Sequence, residues 1–264
     1  MANPSNIGRI FYGISIAIMG ILTIIYHVLP YMLLPQQDLS FTGHVAFTVI
    51  CGAIITFVGI SITLKKLIGP VSLLFGCILF LIFCFDWLPF QFIITSNFKQ
   101  PLQWDNPMKE LAIAGGAFVI AGCFSGKNNN RIYRFRDKLI PFGSVLYAIP
   151  ILTFGILHFM YAKDVSTLVP AWVPFPVFWT YLAGVGLAGS AVAIITKIKT
   201  GLITTLSGTM ILIWFIILHM PRVVAASFSD TGGEVTSAFM ALAYSGIAFV
   251  IAGAFKSLSE KTER

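Results

Sequence analysis

The sequence predicts an all-α polytopic membrane protein, eight transmembrane helices arranged as two parallel four-helix repeats. Three observations predict it. Hydrophobic residues make up 57% of the 264 and charged residues only 10%, where soluble domains carry roughly 25% charged. Apolar stretches long enough to cross a hydrocarbon core of roughly 30 Å as a helix recur along the chain. The hexapeptide Ala-Phe-Val-Ile-Ala-Gly stands at residues 117–122 and again at 248–253, 131 residues later. An offset of 132 relates Val45 to Val177, Thr48 to Thr180, Gly52 to Gly184, Lys65 to Lys197, Gly76 to Gly208, Phe83 to Phe215 and Pro89 to Pro221, while His27 and His158 are 131 apart. One-residue slips in two loops reconcile the offsets, so a four-span unit reads as written twice.

The first span is predicted at about 7–29. Its apolar run from Ile10 to Leu29 exceeds a signal-peptide core of about 7–15 residues and no small-x-small site follows, so it is expected to stay as a helix. Spans at about 43–64 and 67–85 follow, although apolar residues continue past Pro89 through Phe90 and Ile94. A fourth, at about 108–125, completes the first unit, residues 1–126. Residues 127–138 belong to a polar, basic, turn-prone stretch expected to link the units and to face anionic headgroups. The second unit, 139–264, carries spans at about 139–161, 175–196, 200–219 and 235–256. Small residues four apart (Gly52 and Thr56, Gly184 and Ala188, then Ser237, Ala241 and Ser245) mark where helices pack closely in lipid.

The net charge of +7 follows topology and is no nucleic-acid signature. With both termini in the cytoplasm, 13 of the 17 Lys and Arg fall inside, leaving Lys99, Lys109, Lys163 and Arg222 outside. The positive-inside rule selects this orientation, that of a multi-pass protein of a bacterial inner membrane. Four spans per unit insert both units the same way up, related by a pseudo-twofold axis along the membrane normal. Cys51, Cys77, Cys84 and Cys123 form no C-x-x-C pair and read as small apolar residues.

Candidate functional residues gather at the outer ends of the spans. His27, His44, His158 and His219 all fall there, as do seven of the ten acids. His219 and Arg222 stand one turn apart in Leu-His-Met-Pro-Arg (218–222), with Asp86 in the corresponding stretch of the first unit as a cross-unit partner. Arginine supplies fixed donors and a permanent charge, and histidine can donate a hydrogen bond or carry a proton. Such a group suits an anionic or quinone-type oxygen. Each residue alone is equally an interfacial side chain reaching water or headgroups. His27 and His158, facing each other across the pseudo-twofold, would form a haem pair, but one near-surface pair is weak ground for haem. A divalent metal on His158, His219 and Glu234 is a further reading of the same side chains, equally weakly founded. H-E-x-x-H, Walker and G-x-G-x-x-G patterns are absent, so protease, nucleotidase and dinucleotide chemistry are not indicated.

The second unit carries Gly-Ile-Leu-His-Phe (155–159), Leu-Val-Pro-Ala-Trp-Val-Pro (168–174), Phe-Trp-Thr-Tyr-Leu-Ala-Gly (178–184) and the Leu-His-Met-Pro-Arg run. Trp172 and Trp179 within them suit the headgroup boundary. These motifs resemble the DoxX-like family of small four-helix membrane proteins over roughly residues 140–256, and the first unit resembles it only through His27, Gly52, Gly76 and Pro89. The chain would then be a tandem of that unit. The resemblance implies a redox-associated or quinone-interacting membrane subunit with a partner subunit, and it transfers no catalytic residue set. Two other functions stay open: transport of a small neutral solute through a cavity between the units, since charges within the spans are nearly absent, and a non-catalytic scaffold role for the aromatic outer loops.

Overall fold

The computed structural model describes residues 4–31, 33, 43–96, 98–124, 131–227 and 231–262. Among these, every regular element is helical, and eight helices are long and apolar enough to cross a membrane, which is compatible with an integral membrane protein in contact with lipid. They are α1 (Pro4–Tyr26), α2 (His44–Thr63), α3 (Ile68–Ile94), α4 (Pro101–Phe124), α5 (Arg131–Met160), α6 (Pro176–Thr196), α7 (Thr200–Ala225) and α8 (Thr231–Thr262). The span-length parts of α5 and α8 are Lys138–Met160 and Gly232–Lys256. Helix α5 begins within the basic stretch assigned to the linker, whose residues 127–130 lie outside the described ones.

Two spans outrun their predicted ends for one reason. Helix α3 continues to Ile94 and α7 to Ala225 although Pro89 and Pro221 interrupt the donor series. Proline lacks an N–H, and its ring meets the carbonyl four residues earlier. A π turn stands shortly before each proline, Phe83–Trp87 in α3 and Phe215–His219 in α7. The wider turn accommodates the ring and the helix goes on.

Helices α1, α8, α4 and α5 form an inner row, with α2 packed on α1, α3 on α4, α6 on α5 and α7 on α8. Close backbone approach holds the row together. A β-carbon at Gly8 would stand 2.3 Å from the Gly246 carbonyl oxygen, and one at Gly143 would stand 2.4 Å from that of Gly115. Only glycine fits either crossing. At both, a tyrosine one turn further along binds a backbone carbonyl: Tyr12 Oη donates to Ile113 O at 2.8 Å, and Tyr147 Oη to Tyr244 O at 3.0 Å. Gly76 of α3 abuts Ala117 and Phe118, and Gly208 of α7 abuts Ala248 and Phe249. The short turns before α3 and α7 also match, with positive φ at Lys65 and Leu67 and at Lys197 and Lys199.

Residue pairs of this kind also recur at fixed offsets between the first and second halves. Helices α2 and α3 match α6 and α7 at 132 residues, and α4 matches α8 at 131. Helices α1 and α5 match at 135, through Gly8 and Gly143, Tyr12 and Tyr147, Gly20 and Gly155. The counterpart of His158 is therefore Thr23, one turn before His27. Both side chains bind the carbonyl four residues back: Thr23 Oγ1 on Met19 O at 2.9 Å, and His158 Nδ1 on Phe154 O at 2.7 Å.

Among the described residues, Arg9 and Glu110, which carry charge in water, are nevertheless buried inside the spans. Arg9, 5% exposed, donates to Ile62 O and Thr63 O at the end of α2 and lies over the Phe124 ring. Glu110, fully buried on α4, faces Asp86 and Trp87 of α3. Cys51, Cys77 and Cys84 are free thiols.

Candidate ligand cavity

A cavity of about 520 Å³ opens where α5, α6, α7 and α8 meet the first turns of α4. Its walls are mainly aromatic and aliphatic. Phe154, Leu157 and Ile151 come from α5, Ala183 and Leu187 from α6, Met210 and Trp214 from α7, and Met240 from α8. Trp179 and Trp214 meet edge to face at 6.5 Å between centroids. Trp179 Nε1 already donates to Pro174 O at 3.0 Å, so this ring is a wall and not a donor to a ligand.

The polar groups are few and specific. His158 lines the cavity with Nδ1 bonded to a carbonyl, which can only accept. That nitrogen carries the proton, and the neutral ring keeps Nε2 as an acceptor. His219, presented by the π turn of α7, has a buried Nδ1 with no hydrogen-bond partner among the described residues. Tyr244 also lines the cavity, and its Oη is buried and unpartnered in the same sense. Leaving such groups unpaired costs about 1–3 kcal/mol each.

The mouth is more polar. Lys109 pairs with Asp105 one turn back and stands 5.2 Å over the Tyr31 ring, whose hydroxyl lies 3.3 Å from Ser237 Oγ. Tyr31, Leu102, Asp105 and Lys109 bring the first half to a cavity otherwise built by the second.

Of the eight residues proposed from the sequence, three converge on this space: His158, Trp179 and His219. Arg222 and Glu234 stand beside it as a two-pronged ion pair, Nε to Oε2 at 3.0 Å and an Nη to Oε1 at 2.6 Å, tying the end of α7 to the start of α8. They satisfy each other, so the arginine is engaged by protein and does not face the cavity. Trp172 is 69% exposed in the loop before α6. His27 is exposed, with positive φ beyond the end of α1, and does not share the cavity with His158, so no facing histidine pair forms. Asp86 faces Glu110 of its own half and not the His219 group. Among the described residues no set of three His, Cys, Asp or Glu side chains gathers as metal ligands.

Tyr244, Lys109, Tyr31 and Trp214 were not singled out from the sequence. Tyr244 had a readable signal: its counterpart in the first half is Ile113, an apolar residue exchanged for a polar one between otherwise similar segments. His219 against Trp87 shows the same kind of exchange. Comparison with family models, curated proteins and solved structures gives no match to this chain.

Proposed function

We propose that the protein is a quinone-interacting membrane subunit of the DoxX-like type, binding an apolar ring with oxygen substituents in the cavity. The observation that carries the reading is that His219 and Tyr244, whose Nδ1 and Oη are buried and unpartnered among the described residues, line one aromatic cavity with His158. A tyrosine hydroxyl donates to a quinone carbonyl, and a neutral histidine nitrogen accepts from a quinol hydroxyl. The same walls therefore suit both forms of such a ring. Pockets of this size, apolar with a few convergent polar groups, are the usual form of small-molecule sites.

The matched glycine crossings, tyrosine bonds and π turns support a tandem of two four-helix units of like polarity, 1–126 and 139–264. Arg9, Lys65, Lys66, Lys197, Lys199 and Lys256 stand at the helix ends opposite the cavity. This distribution supports an orientation with that end and both termini in the cytoplasm of a bacterial cell and the cavity toward the outer leaflet.

The test is purification in mild detergent, extraction of co-purifying lipids, and titration with a decyl-tailed benzoquinone read by quenching of tryptophan fluorescence. Bound quinone and saturable quenching are expected, with Tyr244→Phe and His219→Ala each weakening binding about three- to ten-fold. Absence of both quinone and saturable quenching would remove the reading.

A further inference from the structure

The cavity has a thin wall on one side. At its apolar end α6 presents Gly186 and Gly189 on either side of Leu187. A β-carbon at Gly189 would meet nothing within 4 Å, and one at Gly186 would meet only Met210, with Sδ at 2.7 Å and Cε at 3.0 Å. Met210 itself lines the cavity. Where α6 and α7 meet beside the cavity, an unbranched thioether therefore lies on bare backbone. Methionine has three rotatable bonds and moves aside at little cost.

This wall faces lipid. Helix α7 is the least enclosed span, with 17% of its apolar window buried. Val185 and Leu206, which flank the seam, are 57% and 61% exposed. At the matching positions of the first half stand Ile54, Phe57 and Ile78, bulky where the second half has Gly186, Gly189 and Met210.

From this seam we infer that the ligand is a long-tailed amphiphile that enters sideways from the bilayer. Its head lies against His219 and Tyr244, its tail leaves between α6 and α7 past Gly186, and Met210 is the movable plug. The inference rests on the ligand-binding reading above and adds to it the tail and the route.

The experiment uses the full chain in lipid nanodiscs and two probes, a benzoquinone without a tail and the same ring with a decyl tail. Gly186→Leu and Met210→Phe each fill the seam, the second without touching the α6 backbone, and melting temperature checks that each variant folds. Both substitutions are expected to weaken the tailed probe about ten-fold, and Gly186→Leu, which lies outside the cavity lining, to move the tail-less one by less than about two-fold. A diazirine at the tail end is expected to label α6 and α7 near Val185 and Leu206. Equal loss of both probes, no effect on either, or labelling confined to α1 and α2 would overturn the lateral route. Binding of neither probe to the unaltered protein would overturn the ligand reading itself, and the seam with it.

Discussion

The π turns Phe83–Trp87 and Phe215–His219 occupy matching places in the two halves, yet their surroundings differ. In the first, Trp87 is 4% exposed and packs with Phe83, Met108 and Leu111 beside the fully buried Glu110. In the second, the residue matching Trp87 is His219 and the one matching Glu110 is Ala241, and both line the cavity. Replacing an indole by an imidazole and a carboxyethyl group by a methyl removes volume from one spot. Interiors are close-packed, so such a deficit becomes space unless neighbours refill it. The backbone device is shared, and the side chains decide whether it seals a core or opens a site.

The comparison is most easily broken at the glycine crossings. Gly8→Leu places a side chain where a β-carbon already falls 2.3 Å from a carbonyl, and Gly143→Leu does the same at 2.4 Å. Each should cost about 3 kcal/mol or more, since backbone cannot yield as a side chain would. The measurement is thermal unfolding by size exclusion in detergent. A large loss for one variant and none for the other would show that the two crossings do not play matching roles.

A smaller effect sharpens the difference at the π turns. His219→Trp combined with Ala241→Glu gives the second half the filling of the first. Tailed-quinone binding should fall about ten-fold or more, since a hydrogen-bonding group and its space go together. The melting temperature should hold within a few degrees. Undiminished binding would mean that the ligand sits elsewhere.

Much of this arrangement was legible in the residues. Span positions follow from apolar length alone, and the repeated hexapeptide at 117 and 248 led to the matching of α4 with α8. The register of α1 with α5 was not legible, because His27 and His158 suggested 131 where the glycine and tyrosine contacts give 135. A chemically conspicuous side chain misled, and the small residues that touch were the better guide. His158, Trp179 and His219 could be chosen as polar or aromatic groups at helix ends. Tyr244 could not be chosen that way, since a tyrosine amid Ala and Leu is ordinary in a span and only the packing shows its hydroxyl without a partner. Arg222 and Glu234 were chosen as ligand groups, yet they satisfy each other, and nothing in their separation of 12 residues revealed that.

The finest test compares two hydroxyls. Tyr12 Oη donates to Ile113 O and Tyr147 Oη to Tyr244 O, at 2.8 and 3.0 Å, the first from α1 to α4 and the second from α5 to α8. Both rings are fully buried. Removing either hydroxyl leaves a helix carbonyl that still holds its own intrahelical bond, so little desolvation cost should remain. Tyr12→Phe and Tyr147→Phe should therefore each cost about 0.6 kcal/mol, the usual scale for a hydrogen bond between membrane helices. The double variant should lose the sum, because the two bonds share no partner. Unequal losses would locate a difference between the halves deeper than the π turns. Tyr147 is the residue to watch, since its acceptor is the backbone of Tyr244, a residue that lines the cavity. If Tyr147→Phe alone also weakens quinone binding, that bond positions the site as well as holding the helices.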